Sequence, residues 1–183
     1  VCFAYLNGEK NITQTFFRLL ITTFFMISLV GCSASVENQT EDGIQEAKEV
    51  FQGESIKPNE QVESVQFYVP GGFAIKEESD ESNIVLSDDQ DSFVLFINPN
   101  EKEDSQLFYD LLLAEKKDMI LAEQTFEQNG RFGFVALLPS GEEHYEIIVS
   151  SGGYKLSTIS DENKIADNMQ QMMEIIRSVK VEK

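Results

Sequence analysis

Residues 124–159 read QTFEQNGRFGFVALLPSGEEHYEIIVSSGGYKLSTI, and the order of turns and apolar positions in this stretch decides the fold. Asn129-Gly130 is the strongest short hairpin signal in the chain, because both residues tolerate the positive φ that a tight primed turn requires. It joins a strand over Gln124 to Gln128 to one over Arg131 to Leu138, where Phe132, Phe134 and Ala136 share one face. Pro139-Ser140-Gly141 turns the chain into His144 to Ser150, and Ser151-Gly152-Gly153 turns it again into Tyr154 to Ile159. Four strands joined by short turns form an antiparallel meander, since parallel pairing would need long crossovers.

Upstream, Val65, Phe67 and Val69 alternate with Gln66 and Tyr68, the period of a half-buried strand. Pro70-Gly71-Gly72 supplies a turn into a strand over Phe73 to Lys76, and another follows over Ile84 to Leu86. Phe93 to Ile97 is a continuous apolar run, which predicts a central strand buried on both faces. The period then changes. Leu107, Phe108, Leu111, Leu112 and Met119 form a helical stripe within Asp104 to Met119, with Asp104 or Ser105 placed to cap it. A closing helix begins near Asp161, and its stripe Ile165, Met169, Met172, Ile176, Val179 makes one core-facing seam. The expected class is α+β, an antiparallel sheet of about six to seven strands packed by a middle helix and a C-terminal helix.

The strand running into Val69-Pro70-Gly71-Gly72-Phe73, the long meander and the closing Met173-Glu174-Ile175-Ile176-Arg177-Ser178-Val179 resemble PsbP-like domains over residues 62–180. That resemblance implies an antiparallel sheet between helices, and a binding or assembly module more than an enzyme.

The stretch before residue 33 carries a different signal. Arg18 precedes an apolar run from Leu19 to Val30, broken only by Thr22, Thr23 and Ser28 and closing on Leu29-Val30-Gly31-Cys32. A positive flank, a short apolar region and a small residue at the cleavage point describe a secretory signal. A membrane span needs about 20 apolar residues, reached only by counting Phe16 and Phe17 across Arg18. The cysteine makes the segment resemble the bacterial lipoprotein signal, whose lipobox is Leu, then Ala, Ser, Thr or Val, then Gly or Ala, then Cys. The resemblance implies diacylglycerol transfer to the Cys32 thiol and cleavage between Gly31 and Cys32. It also implies a lipid anchor in the cell membrane and a domain facing outside the cytoplasm.

On this reading residues 1–31 are leader, 32–61 an acidic tether and 62–183 one α+β domain. Ser33 to Asp42 is small, polar and acidic, the composition of a solvated linker. Within Asp42 to Gln52, Ile44, Ala47, Val50 and Phe51 recur at helical spacing, either as a short helix on the domain or a marginal one inside the tether. Cys2 leaves with the leader and Cys32 is acylated, so no thiol remains for a disulfide or a metal. Without Glu9, Lys10 and Arg18 the charge of −18 becomes −19. Such a surface repels nucleic acid and anionic headgroups. The expected partners are membrane lipid, through acylated Cys32, and a protein of the cell envelope.

Asp88-Asp89-Gln90-Asp91 starts like a calcium loop, but Phe93, Val94 and Asn100 stand where a ligand, a Gly and a bidentate Glu are required. It reads as a solvated hairpin. His144 is the only histidine and has no Cys or second His to join it as a metal ligand. Ser150-Ser151-Gly152-Gly153 fails as a nucleophile elbow because Ile148 occupies the first Gly position. Met169, Met172 and Met173 fill core at helical spacing. Glu146 is the one acid inside an apolar strand and is expected to face solvent. No catalytic, metal or cofactor site is expected. The reading is a non-catalytic, lipid-anchored binding module of the cell envelope, the alternative a small envelope hydrolase using carboxylates.

Overall fold

The computed structural model describes residues 35–88 and 90–182. Gly31 and Cys32, the expected cleavage and lipid-attachment residues, lie outside them. The chain runs α1 (Val36–Gln52), β1 (Glu60–Val62), β2 (Val65–Phe67), β3 (Ala74–Ile75), β4 (Asn83–Ser87), β5 (Ser92–Ile97) and α2 (Leu107–Lys116). It continues through β6 (Ala122–Gln128), β7 (Arg131–Pro139), β8 (His144–Ser151), β9 (Tyr154–Asp161), α3 (Ile165–Ser178) and β10 (Lys180–Val181). No helix among the described residues is long and apolar enough to cross a membrane.

The class is α+β with two antiparallel sheets. A seven-stranded sheet has the order β3-β4-β5-β9-β8-β7-β6, and a separate three-stranded sheet the order β1-β2-β10. Residues 122–161 are the expected meander. Gln128 pairs with Arg131 across the turn, where Asn129 and Gly130 hold φ of 53° and 73°, both in the left-handed region. The first predicted strand leaves the main sheet, because β10 adds to its edge and pairs Val181 with Val65.

Two faces of the large sheet bury two sets of side chains. Leu86, Phe93, Leu95, Val135, Ile147, Val149 and Leu156 form one core with Met169, Met172 and Ile176 of α3. Phe132, Phe134, Ala136, Leu138 and Ile148 form the other with Phe108 and Leu112 of α2. Ile165, Met169, Met172 and Ile176 of the α3 seam are buried, as the spacing predicts, while Val179 lies just past the helix and is half-buried.

Three expectations are corrected. β5 alternates instead of burying both faces: Phe93, Leu95 and Ile97 point to the α3 side while Val94 is 40% exposed. The strand buried on both faces is β7, because α2 spans only one half of the outer face. The middle helix is shorter than its stripe, with Leu111 and Met119 exposed, although Ser105 does accept the Leu107 N–H at 3.2 Å. The third correction is the largest. The stretch expected as tether is mostly a seventeen-residue helix, capped by Ser35, whose Oγ accepts the Asn38 N–H. Its buried line is Thr40, Gly43, Ala47 and Phe51. Small side chains let α1 approach α3 so closely that a Cβ on Gly43 would sit 2.9 Å from the Ala166 Cα. The described fold begins at the Ser35 cap.

The two helices lie side by side and parallel. At their amino ends Ala166 N–H donates to Gln39 Oε1 at 3.3 Å. At their carboxyl ends Arg177 Nη2 donates to the Gly53 carbonyl at 3.3 Å, and Ser55 Oγ–H to the Arg177 carbonyl at 2.8 Å. Phe51 closes the arrangement by lying on Gly133 of β7 and 5.5 Å from the Phe126 ring.

Candidate functional site

The residues singled out in the sequence do not converge. His144 is exposed at the start of β8, with Nε2 3.2 Å from Asp161 Oδ1. Ser150 lies six residues further along the same strand, about 20 Å away at strand rise. It is buried, and its Oγ–H donates to the Tyr154 carbonyl at 2.8 Å. No acid–base pair is formed between them. Glu146 does take the outer face, as expected, but it is not free in solvent: α2 lies over it and Lys116 Nζ reaches its two oxygens at 2.9 and 2.6 Å.

The acidic turn between β4 and β5 is likewise more engaged than a solvated hairpin. Asp91 Oδ2 accepts from Ser160 Oγ at 2.8 Å and from Asn168 Nδ2 at 3.2 Å, with Lys164 Nζ at 3.4 Å. Burial alone would raise the Asp88 pKa, but the N–H groups of Asp91 and Gln90 and the Lys164 charge outweigh it and hold it below the usual value. The cluster binds the turn to the start of α3. Among the described residues no group of histidine, cysteine or carboxylate side chains is arranged to hold a metal.

The structure offers a different site, which sequence reasoning passed over. At the end of the sheet where α1 and α3 finish, four segments meet: the loop after β5, the start of β7, the β8–β9 turn and the last turn of α3. They enclose a depression of about 90 Å³ lined by Lys102, Glu103, Arg131, Tyr154 and Arg177 among others. Glycine makes the junction possible. Gly152, with φ 55°, lies so close to the loop that a Cβ would fall 2.8 Å from the Glu103 Cα, and one on Gly153 would fall 2.5 Å from the Asn98 carbonyl oxygen. Phe132 N–H donates to the Glu103 carbonyl at 3.0 Å, and Asn98 N–H to that of Gly153 at 2.9 Å.

The electrostatics of this site differ from the rest of the surface. Arg131 Nη2 meets Glu103 Oε2 at 3.1 Å in an exposed pair. Arg177 makes no ion pair among the described residues: its guanidinium stacks 5.7 Å from the Phe51 ring centre and its Nε is buried without an acceptor. Burial, then the charge of Arg131, lowers the Arg177 pKa from its ordinary value. Burial, then Glu103, raises the Tyr154 pKa, which keeps its hydroxyl a donor. One signal could have found the site in the sequence: after Arg18 these are the only two arginines of a chain with charge −18.

No protein-family profile matches the sequence, and no curated protein matches it. Thirteen chains among solved structures match. One is the solution structure of cyanobacterial PsbP (CyanoP) from Synechocystis sp. PCC 6803, similar over 71% of this chain and 96% of that one, at 11% identity and a TM-score of 0.40.

Proposed function

We propose that this chain is a membrane-anchored lipoprotein whose folded domain acts outside the cytoplasm as a non-catalytic binding module. The observation that carries the reading is the position of the lipobox cysteine relative to a packed helix. Cys32 precedes the Ser35 cap by three residues, a span of about 11 Å at most when fully extended. An acylated Cys32 therefore holds the domain at the bilayer surface, with the amino ends of α1 and α3 turned toward it. Glu37 and Glu162 at that end are repelled by anionic headgroups.

On this reading the arginine-lined depression lies away from the membrane, since α1 separates it from Ser35 by about 25 Å at helical rise. A domain fixed at one end and open at the other suits capture of a ligand or partner from the extracytoplasmic space. Two acids that a hydrolase could have used are engaged elsewhere, Glu146 by Lys116 and Asp91 by Ser160, Asn168 and Lys164, which favours binding over catalysis.

Cys32→Ala tests the anchor. Expressed from the full chain, this variant should accumulate as uncleaved precursor or leave the membrane fraction. A variant retained in membranes at wild-type level and cut at the same bond would overturn the reading.

A further inference from the structure

We propose that the depression between the β8–β9 turn and the carboxyl end of α3 binds a single oxyanion group, a carboxylate or phosphate, carried by a soluble molecule. The observation is an accounting of charge. Of the two carboxylates at the rim, Glu101 accepts Ser105 Oγ–H at 2.6 Å and Glu103 is held by Arg131. Arg177 and Lys102 then stand with no ion pair among the described residues, in a chain where acids outnumber bases by 32 to 14. Arg131 and Arg177 repel one another, Glu103 offsets part of that repulsion, and a bound anion would offset more of it.

The donors suit such a group. A guanidinium presents a planar fork that matches carboxylate and phosphate geometry with little entropy lost. Arg177 is pre-set by the Gly53 carbonyl and by the Phe51 ring, so its plane is fixed before any ligand arrives. The Tyr154 hydroxyl, kept protonated, adds a neutral donor. The depression, of about 90 Å³ and open to solvent on one side, has room for an oxyanion group between these donors.

The assignment to a soluble source rests on the lipid-anchored reading, which places this end about 25 Å from the bilayer. The anion site itself does not depend on it. The full chain in neutral detergent micelles, labelled with ¹⁵N, is titrated with sodium phosphate, sodium acetate and sodium chloride at constant ionic strength. Phosphate or acetate, and not chloride, should shift the backbone amides of Gly152, Gly153 and Tyr154. Arg131→Gln should weaken the response about 10- to 100-fold, the usual effect of removing a charged hydrogen-bond donor. Arg177→Lys, which keeps the charge without the fork, should weaken it while circular dichroism stays native.

No shift with either oxyanion, equal shifts with chloride, or unchanged affinity in Arg131→Gln overturns the anion site whatever the fate of the anchor. If vesicles of anionic lipid displace phosphate from the site of the full chain, the ligand is a headgroup, and the soluble source is overturned while the anion chemistry is upheld. Failure of the Cys32→Ala experiment, in contrast, removes the membrane-distal argument and leaves the titration intact.

Discussion

Glu63 sits between β1 and β2 with φ 49°, a left-handed conformation that carries a cost for a residue with a Cβ. Nothing in its sequence neighbourhood demands glutamate there: the side chain is exposed, and Gln61 Nε2 bonds only its carbonyl, at 2.7 Å. Glu63→Gly should therefore raise stability by a few tenths to about 1 kcal/mol in urea denaturation, the relief of the left-handed strain exceeding the entropy glycine adds to the unfolded chain. The comparison residue is Gly133, where a Cβ would meet the Phe51 ring at 2.6 Å and the Ser150 carbonyl oxygen at 2.7 Å. One glycine is absent where φ favours it, and another is present where space demands it. Neither position is marked by hydrophobic periodicity, which is why residue-level reading did not find them.

Among the elements, α1 departs furthest from expectation. A helix of Val-Glu-Asn-Gln-Thr-Glu-Asp-Gly-Ile looks like linker, because Thr40 and Gly43 break the apolar line. Their smallness is what the neighbour needs: Gly43 lets Ala166 and Met169 approach, and Thr40 satisfies its own hydroxyl on the Val36 carbonyl at 2.6 Å. Gly43→Val should cost about 1–3 kcal/mol by overpacking the helix pair. Limited proteolysis provides the second readout. The wild type should keep α1 attached, whereas Gly43→Val should release a fragment beginning between Glu54 and Val62. Equal cleavage of both proteins in that window would show that α1 is not part of the core. α2 shows the opposite case: a longer apolar stripe was legible, yet only Phe108 and Leu112 of the helix are buried, Leu111 is exposed, and Met119 falls beyond the helix end at Lys116.

At the scale of the molecule, acidity is distributed unevenly. Glu46 on α1 has its pKa raised, first by burial and then by Asp167, Asp42 and Glu49, and Glu174 on α3 is raised by burial. A carboxyl with a raised folded pKa binds its proton better in the folded state, so stability grows as pH falls from neutral through that pKa. Asp88 is held low, so its contribution is present above the unfolded value of about 3.9 and is lost as pH falls through its folded pKa. The melting temperature should therefore rise from pH 7 toward about pH 5 and turn over below about pH 4. Glu46→Gln should flatten the rise, and thermal scans by circular dichroism read it directly. A melting temperature that falls steadily from pH 7 to 5 would contradict the assignment.

The meander, its turns, the α3 seam and the middle helix were legible in the sequence, because each rests on local chemistry: a left-handed Asn-Gly pair, alternation at period two, apolar residues at period 3.6. The lipobox-like Leu29-Val30-Gly31-Cys32 is also local, the four residues that close an apolar run, and the proposed anchor rests on it alone. What only the tertiary structure decided are contacts between distant segments. The tether became a helix because α3 offered a surface that small residues could fit, and β5 lost one buried face because α2 is too short to cover it. The arginine site needed four segments to place Arg131 and Arg177 around one depression, and a fifth, Gly53 after α1, to hold the Arg177 guanidinium. Composition could have marked the rarity of those two arginines. Their meeting depends on the parallel packing of α1 and α3, which sets residues 124 positions apart within hydrogen-bond reach and leaves no trace in any short window of the chain.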